Sequence, residues 1–206
     1  MIEAFFVVSK SDVFLREKII SKGLIYLKTK QLVEISMLVA LALVLDFVAG
    51  LYSRWLWLQG GSISLSLVPL AILAYRQGVK IGLLGAILMG AMQLLIGGYI
   101  FHPVQVLLDY PVAFGALGLV GLWTKIVDKR DQVTVAIVIS TFIASFFRWV
   151  SHTLSGYVFF AQWAPEGMGA LWFSMTYNFG YVFFSWLASM IVLILLYRYH
   201  PKLVQT

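Results

Sequence analysis

The sequence predicts an all-α integral membrane protein with six transmembrane helices and both termini in the cytoplasm. Three observations carry that expectation. Of 206 residues, 61% are hydrophobic and only 12% charged, whereas a soluble domain is about half apolar and about a quarter charged. The apolar runs are continuous, not alternating, which suits helices and not a barrel. Thirteen of the fifteen Lys and Arg fall in four places that lie on one side of a six-span chain. The other side has only Arg54, and Arg148 lies within a span, so the positive-inside rule puts both ends in the cytoplasm. The net charge of +6 is thereby a topology signal and not a nucleic-acid footprint.

Residues 1–30 hold Lys10, Arg16, Lys18, Lys22, Lys28 and Lys30, interleaved with Ile19, Ile20, Leu24, Ile25 and Leu27. The pattern suits either an interfacial amphipathic helix or a disordered tail. It is set apart from a membrane domain over 31–200 and a short tail over 201–206. The first span is expected over about 31–50. The loop 51–61 carries Tyr52, Arg54, Trp55 and Trp57 and ends on Gly60-Gly61. The second span, 62–75, is short and contains Pro69; Arg76 and Lys80 bracket the turn after it. The third runs over about 81–96, and both it and the second are near the minimum length for crossing a bilayer.

The fourth span begins at Pro103, whose missing N–H costs nothing in a first helical turn. It stays apolar to about Ile126. The fifth is expected over about 133–160 and the sixth over about 170–197, joined by a loop with Trp163, Pro165 and Gly167. Gly82, Gly85 and Gly90 in span three, and Gly115, Gly118 and Gly121 in span four, allow helices to pack backbone to backbone.

Chemistry concentrates at the outer ends of the later spans. Asp109 sits about two turns into span four, at membrane depth, with Gln105 one turn earlier on the same face. A carboxylate there costs several kcal/mol unless it is paired, solvated or protonated. Tyr99, His102 and Tyr110 crowd the same end. In span five Arg148 and His152 share a face that Ser155 and Gly156 continue; in span six Ser174 and Asn178 do the same. The topology lets Asp109, His152 and Asn178 converge, with Tyr99, Phe160, Trp163, Trp172, Phe173 and Tyr177 around them. One acid among ring faces suits a flat cation, because rings attract cations by roughly 0.5–2 kcal/mol each.

Other classes fail on absences. The sequence has no cysteine, no phosphate-binding Gly-rich loop with Lys-Ser/Thr, no His-Glu-x-x-His and no Gly-x-Ser-x-Gly. No cofactor or metal site is expected. An intramembrane pair of Ser155 and His152 is the one enzymatic arrangement left to weigh.

The run His102-Pro-Val-Gln-Val-Leu-Leu-Asp-Tyr-Pro111, preceded by Gly-Gly-Tyr-Ile, resembles the signature of the thiamine-specific substrate-binding subunits (ThiT or YuaJ family) of energy-coupling factor transporters. The segments 62–69 (Ser-Ile-Ser-Leu-Ser-Leu-Val-Pro), 148–156 (Arg-Trp-Val-Ser-His-Thr-Leu-Ser-Gly) and Tyr177-Asn178 fit the same pattern in order. The likeness covers about 31–200. It implies a multi-pass protein of a prokaryotic cell membrane that binds thiamine from outside, without catalysis. It further implies docking on a transmembrane coupling subunit with two ATPase subunits.

The resemblance carries roles residue by residue. Asp109 stands where the family has an acid, often Glu, facing the vitamin. His152, Asn178 and Tyr99 match directly. Phe160 takes the place of an aromatic that is Trp in some members, and Phe173 replaces a Tyr. Trp55 and Trp57 both compete for the outer-loop Trp, with Trp57 preferred. Tyr110, Arg148 and Trp163 complete the expected substrate-binding set. Ser36 and Ala40 fit a small-x-x-x-small contact for the coupling subunit. A subunit for another vitamin or a thiamine precursor such as hydroxymethylpyrimidine, or an ion-driven secondary transporter, are the competing readings. Glu34 and Asp46 carry no assigned role; Asp46 is read as a supporting hydrogen-bond partner or as simply hydrated.

Overall fold

The computed structural model describes residues 28–53, 55–58, 60–127 and 132–204. It divides into two units, 1–33 and 34–206. In the first, Lys28 N donates to Gln31 Oε1 (3.1 Å) at the start of a helix. The basic segment expected over 1–30 lies outside the described residues as far as residue 27.

The described residues are helical and contain no strand. The helices are α1 (Thr29–Ser53), α2 (Leu67–Gln77), α3 (Val79–Gly97), α4 (Pro103–Ile126), α5 (Val133–Phe159), α6 (Ala170–Tyr199) and the short α7 (Pro201–Val204). Five of them, α1 and α3 to α6, are long and apolar enough to cross a membrane. Their outward faces carry large apolar side chains such as Met37, Val44, Phe146, Phe184 and Leu195. Such faces suit hydrocarbon, because in a bilayer a helix satisfies its own backbone and presents side chains to lipid. The chain is an all-α, multi-pass membrane protein.

The expected second span is not one continuous helix. Only 11 residues, Leu67–Gln77, are helical, and residues 61–66 before them lack regular structure. Backbone of that kind at membrane depth is tolerated only where protein satisfies it. Serines do so here. Ile63 N donates to Ser53 Oγ (3.1 Å), Ser64 N to Ser185 Oγ (2.9 Å), and Ser66 N to Ser64 Oγ (3.1 Å). In the other direction the Ser185 hydroxyl donates to Ser62 O (3.1 Å) and Tyr52 OH to Ile63 O. The alternating serines of 62–66 are thus part of how a non-helical segment is seated against α1 and α6.

Gly78, at φ +80°, turns the chain between α2 and α3 while its N–H closes α2 on Ala74 O (2.9 Å); that backbone conformation favours glycine. Beyond it, α3 and α4 meet backbone to backbone. A Cβ on Gly118 would lie 2.6 Å from the carbonyl carbon of Gly82, and one on Gly121 2.6 Å from Val79. The glycine spacing seen in the sequence therefore marks a real close contact. Where α4 passes this contact it tightens into a 3-10 helix over Ala116–Trp123. Thr124 Oγ1 then donates to Ala74 O (3.1 Å), tying α4 to α2.

Glu34, given no role from the sequence, is engaged. It accepts from Arg76 Nε and Gln77 Nε2, and Arg76 Nη1 donates onward to Lys202 O (2.9 Å). This polar cluster joins α1, α2 and α7. Helices α5 and α6 pack along a seam that includes buried Thr141, Thr153 and Ser174. Trp186 Nε1 crosses it to Thr141 Oγ1 (3.1 Å).

Candidate functional site

A cavity of about 550 Å³ opens among α1, α3, α4, α5, α6 and the 55–62 loop. All ten residues expected to bind substrate line it: Trp57, Tyr99, Asp109, Tyr110, Arg148, His152, Phe160, Trp163, Phe173 and Asn178.

Asp109 is brought there by an irregularity in α4. The helix starts at Pro103, with the His102 Nδ1 accepting from Val104 N (3.1 Å) as its cap. His102 also stacks on Phe159 at 5.0 Å and is not among the lining residues, so it closes the helix end and does not face the cavity. After one α turn the backbone widens to a π-helix over Leu108–Val112, which contains Pro111. Proline cannot donate an amide hydrogen bond, and a π turn is a common answer to such a break, often at functional sites. Leu108 O is held by Ser151 Oγ at 2.7 Å.

The Asp109 carboxylate is surrounded by donors. Its Oδ2 accepts from Gln105 Nε2 (2.8 Å) and Ser155 Oγ (2.7 Å), and its Oδ1 meets His152 Nδ1 at 3.0 Å. Arg148 Nε approaches the other ring nitrogen, His152 Nε2, at 3.4 Å. A guanidinium has no acceptor, so Nε2 accepts and the ring proton sits on Nδ1, donating to Asp109. Gln105 is fixed in turn, with Phe101 N donating to its Oε1 (3.0 Å) and its Nε2 also reaching Tyr99 O (3.2 Å). Three donors on two oxygens suit an acceptor-only carboxylate. Arg148 lies over the Phe114 ring at 4.6 Å and is buried. Among the described residues it makes no ion pair within 4 Å with either cavity acid.

Asn178 works on the opposite wall. Its Nδ2 donates to Ser174 O (2.8 Å) and His152 O (3.3 Å), and its Oδ1 accepts from Tyr181 OH (2.7 Å). Ser174 Oγ donates to Thr153 O (2.8 Å). These bonds bring α6 so close to α5 that a Cβ on Gly156 would collide with Ser174 Oγ. Asn178 thus shapes the wall that positions His152.

Rings close the remaining sides. Tyr99 lies 5.9 Å from Phe160, and Tyr181 lies 5.8 Å from His152 and 6.1 Å edge-on from Trp57. Phe173 and Tyr177 are 5.6 Å apart. The 55–61 loop is tied over the cavity where Tyr177 OH donates to Gly60 O (2.8 Å). Of the two competing tryptophans, Trp57 lines the cavity while Trp55 is 86% exposed. Trp172, grouped with the cavity aromatics on sequence grounds, is exposed and is not a lining residue.

Among the polar lining residues, sequence reasoning gave no ligand-binding place to Asp46, Gln93 or Tyr181. Asp46, left between supporting partner and hydrated surface, is 5% exposed and lines the cavity. Gln93, from α3, donates its Nε2 to Asp46 Oδ2. A Gln fifteen residues into an apolar helix was the available signal. The Ser155–His152 pair weighed as an enzyme does not form: both side chains point their donors at Asp109 instead of at each other. Among the described residues no group of His, Cys, Asp or Glu could hold a metal.

This arrangement can be set beside known proteins. The sequence model of the thiamine transporter protein family (Thia_YuaJ) matches residues 32–205. The chain belongs to the Thia_YuaJ family of thiamine transporter proteins. It is 38% identical to thiamine transporter ThiT of Bacillus subtilis (strain 168) over 183 residues, covering 85% of this chain and 94% of that one. ThiT of Lacticaseibacillus paracasei is 29% identical over 147 residues, 66% of this chain and 73% of its own. A solved structure of ThiT from Listeria monocytogenes superposes with a TM-score of 0.76 at 27% identity, over 85% of this chain and 97% of that chain. The Thia_YuaJ chain is accordingly a multi-pass membrane transporter of a prokaryote and not an enzyme.

Proposed function

We propose that the cavity binds thiamine from outside the cell, as the substrate-binding subunit of an energy-coupling factor importer. The observation that carries this is the Asp109 carboxylate, held by three protein donors inside a ring-lined cavity. Counted formally, Asp46 and Asp109 against Arg148 leave one negative charge, with His152 neutral. Thiamine carries one permanent positive charge on its thiazolium and presents two flat rings. A cation entering between Tyr99, Phe160 and Trp57 meets ring faces and the fixed carboxylate together, and the site needs no rearrangement of Asp109 to receive it. The named ligand of the family's relatives agrees with this chemistry.

The positive-inside distribution orients the cavity outward, with both termini in the cytoplasm. Ser36 and Ala40 lie on the exposed face of α1 and form the contact for the coupling subunit, whose two ATPases supply the energy. The chain alone captures; the assembly transports.

Titration of purified protein with thiamine tests the ligand. Trp57 lines the cavity, so thiamine quenches intrinsic fluorescence saturably. A response to hydroxymethylpyrimidine or another vitamin in its place moves the assignment to that ligand. Uptake into vesicles tests the assembly: it requires the coupling subunit and ATPases, and Ala40→Leu abolishes it with ligand binding unchanged. Uptake by the chain alone in an ion gradient establishes a secondary transporter.

A further inference from the structure

Gln105 stands between two parts of the cavity that suit different parts of a ligand. Residues 98–102, between α3 and α4, have no regular structure, so their backbone groups need partners from outside the segment. Gln105 supplies two of them. Phe101 N donates to its Oε1 (3.0 Å), and its Nε2 donates to Tyr99 O (3.2 Å). The rings of Tyr99 and Phe101 both lean on Phe160, at 5.9 and 6.1 Å. The same Nε2 also donates to Asp109 Oδ2 (2.8 Å). An amide nitrogen has two hydrogens, so both are taken and none is left for a ligand. The side chain borders the cavity yet is only 1% exposed. It cannot turn over, because its oxygen would then face Asp109 and Tyr99 O, and its nitrogen Phe101 N. Tyr110 makes a contrasting tie. Its hydroxyl accepts from Tyr99 N (2.6 Å) and donates to Tyr99 O (3.3 Å), so it holds the loop and gives nothing to Asp109.

We infer that Gln105 is a positioning residue that joins the ring wall of Tyr99, Phe101 and Phe160 to the Asp109 carboxylate as one unit. It thereby fixes the separation between the ring a ligand stacks and the positive charge it carries. The inference rests on the thiamine reading and adds a residue that acts through others, ordering what the vitamin meets without giving it a hydrogen bond. Loss of the amide frees the loop and the acid to move separately.

The experiment is a double-mutant cycle on full-length protein, titrated with thiamine; substitutions that act through a shared contact cost less together than their separate costs predict. Gln105→Met keeps the length and removes the amide. It is expected to weaken thiamine about tenfold on its own, but about threefold or less when added to Asp109→Asn or to Tyr99→Ala. Tyr110→Phe, which loosens the loop alone, is expected to lose its effect in Tyr99→Ala and keep it in Asp109→Asn. Gln105→Asn draws the amide back by one methylene and runs through the same cycle, which keeps the inference testable should Gln105→Met fail to fold. An equal loss in all three backgrounds would mean that Gln105 supports the fold at large or meets the ligand by itself, and would overturn the inference. So would unchanged thiamine binding in the folded variants. Wild-type protein that ignores thiamine altogether overturns the thiamine reading and this inference with it; wild-type binding with additive or insensitive variants overturns the inference alone.

Discussion

At one end of the bundle α3 and α4 meet through Gly82 and Gly118, with no room for a side chain between them. At the other end the same two helices carry Gln93 and Asp109 into a cavity of about 550 Å³. The far end is built from backbone contact, closed by the Glu34, Arg76 and Gln77 cluster. The cavity end is built from side-chain hydrogen bonds: Gln105, Ser155 and His152 on Asp109, Asn178 across α5 and α6. In a bilayer, apolar surface gives helices little reason to associate, so contact comes from close packing or from polar groups. This chain relies on close packing at the far end and adds polar groups at the cavity end, where Gly90 and Gly156 still keep neighbouring helices close. Close packing at the far end makes a rigid base, and polar groups at the cavity end can both join helices and meet a ligand.

The comparison yields separable predictions. The largest effect belongs to Gly118→Val. Its side chain has to displace backbone of Gly82, and overpacking of this kind costs about 1–3 kcal/mol or more. Thermal melting in detergent is expected to fall sharply, while whatever folds keeps its ligand affinity. A stable Gly118→Val protein, or one that melts normally and loses only affinity, would break the division between the ends.

Asp109→Asn comes next and acts in the opposite sense. It keeps size and removes charge, and a charge-assisted hydrogen bond is worth about 1.5–3 kcal/mol against about 1 for a neutral one. Thiamine binding is expected to weaken by about tenfold or more, and the ligand-free melting temperature to fall less than for Gly118→Val, through the donors of Gln105, Ser155 and His152 that lose an acceptor. An uncharged-ring analogue of thiamine is expected to lose less to the same change. Unaltered affinity by fluorescence titration would make Asp109 a structural acid and empty the cavity assignment of its centre.

The smallest effect belongs to the loop above the cavity. Trp57→Ala removes a ring that packs on Tyr181, and a lost ring–cation contact corresponds to about two- to thirtyfold in affinity. Stopped-flow traces are expected to show this in the dissociation rate, with association nearly constant. Trp55→Ala, at an exposed site, serves as the comparison and is expected to leave both rates alone. Equal effects from the two substitutions would mean that the loop acts as a whole and Trp57 has no contact of its own.

Much of the cavity's polar lining is legible in the sequence for a physical reason. Asp109, Arg148, His152 and Asn178 are polar residues in apolar runs, and each such residue in a membrane helix needs a partner or a task. Helical spacing alone puts Gln105 with Asp109 and Arg148 with His152. Asp46 was harder, because it stands near the end of α1, where a carboxylate with water and one without have the same local sequence. Only the approach of α3 buries it beside Gln93. The second span misled for a related reason. Apolar residues alternating with serine over 62–66 look like a short helix by hydropathy, and only Ser53 and Ser185 in neighbouring helices make a non-helical path affordable there.

Composition, continuous apolar runs and clustered basic residues determined by themselves that this chain is a helical membrane protein, because those properties are set by the solvent each segment must face. Glycine spacing determined that α3 and α4 could approach, since it depends only on which residues lack a side chain. The tertiary structure decided which of two tryptophans faces the cavity, and that His102 caps a helix. It also buried Asp46 beside Gln93 and gave Asp109 three donors. Those outcomes depend on what a different helix brings within hydrogen-bond distance, about 3 Å, and no local pattern encodes a neighbour that is distant in sequence.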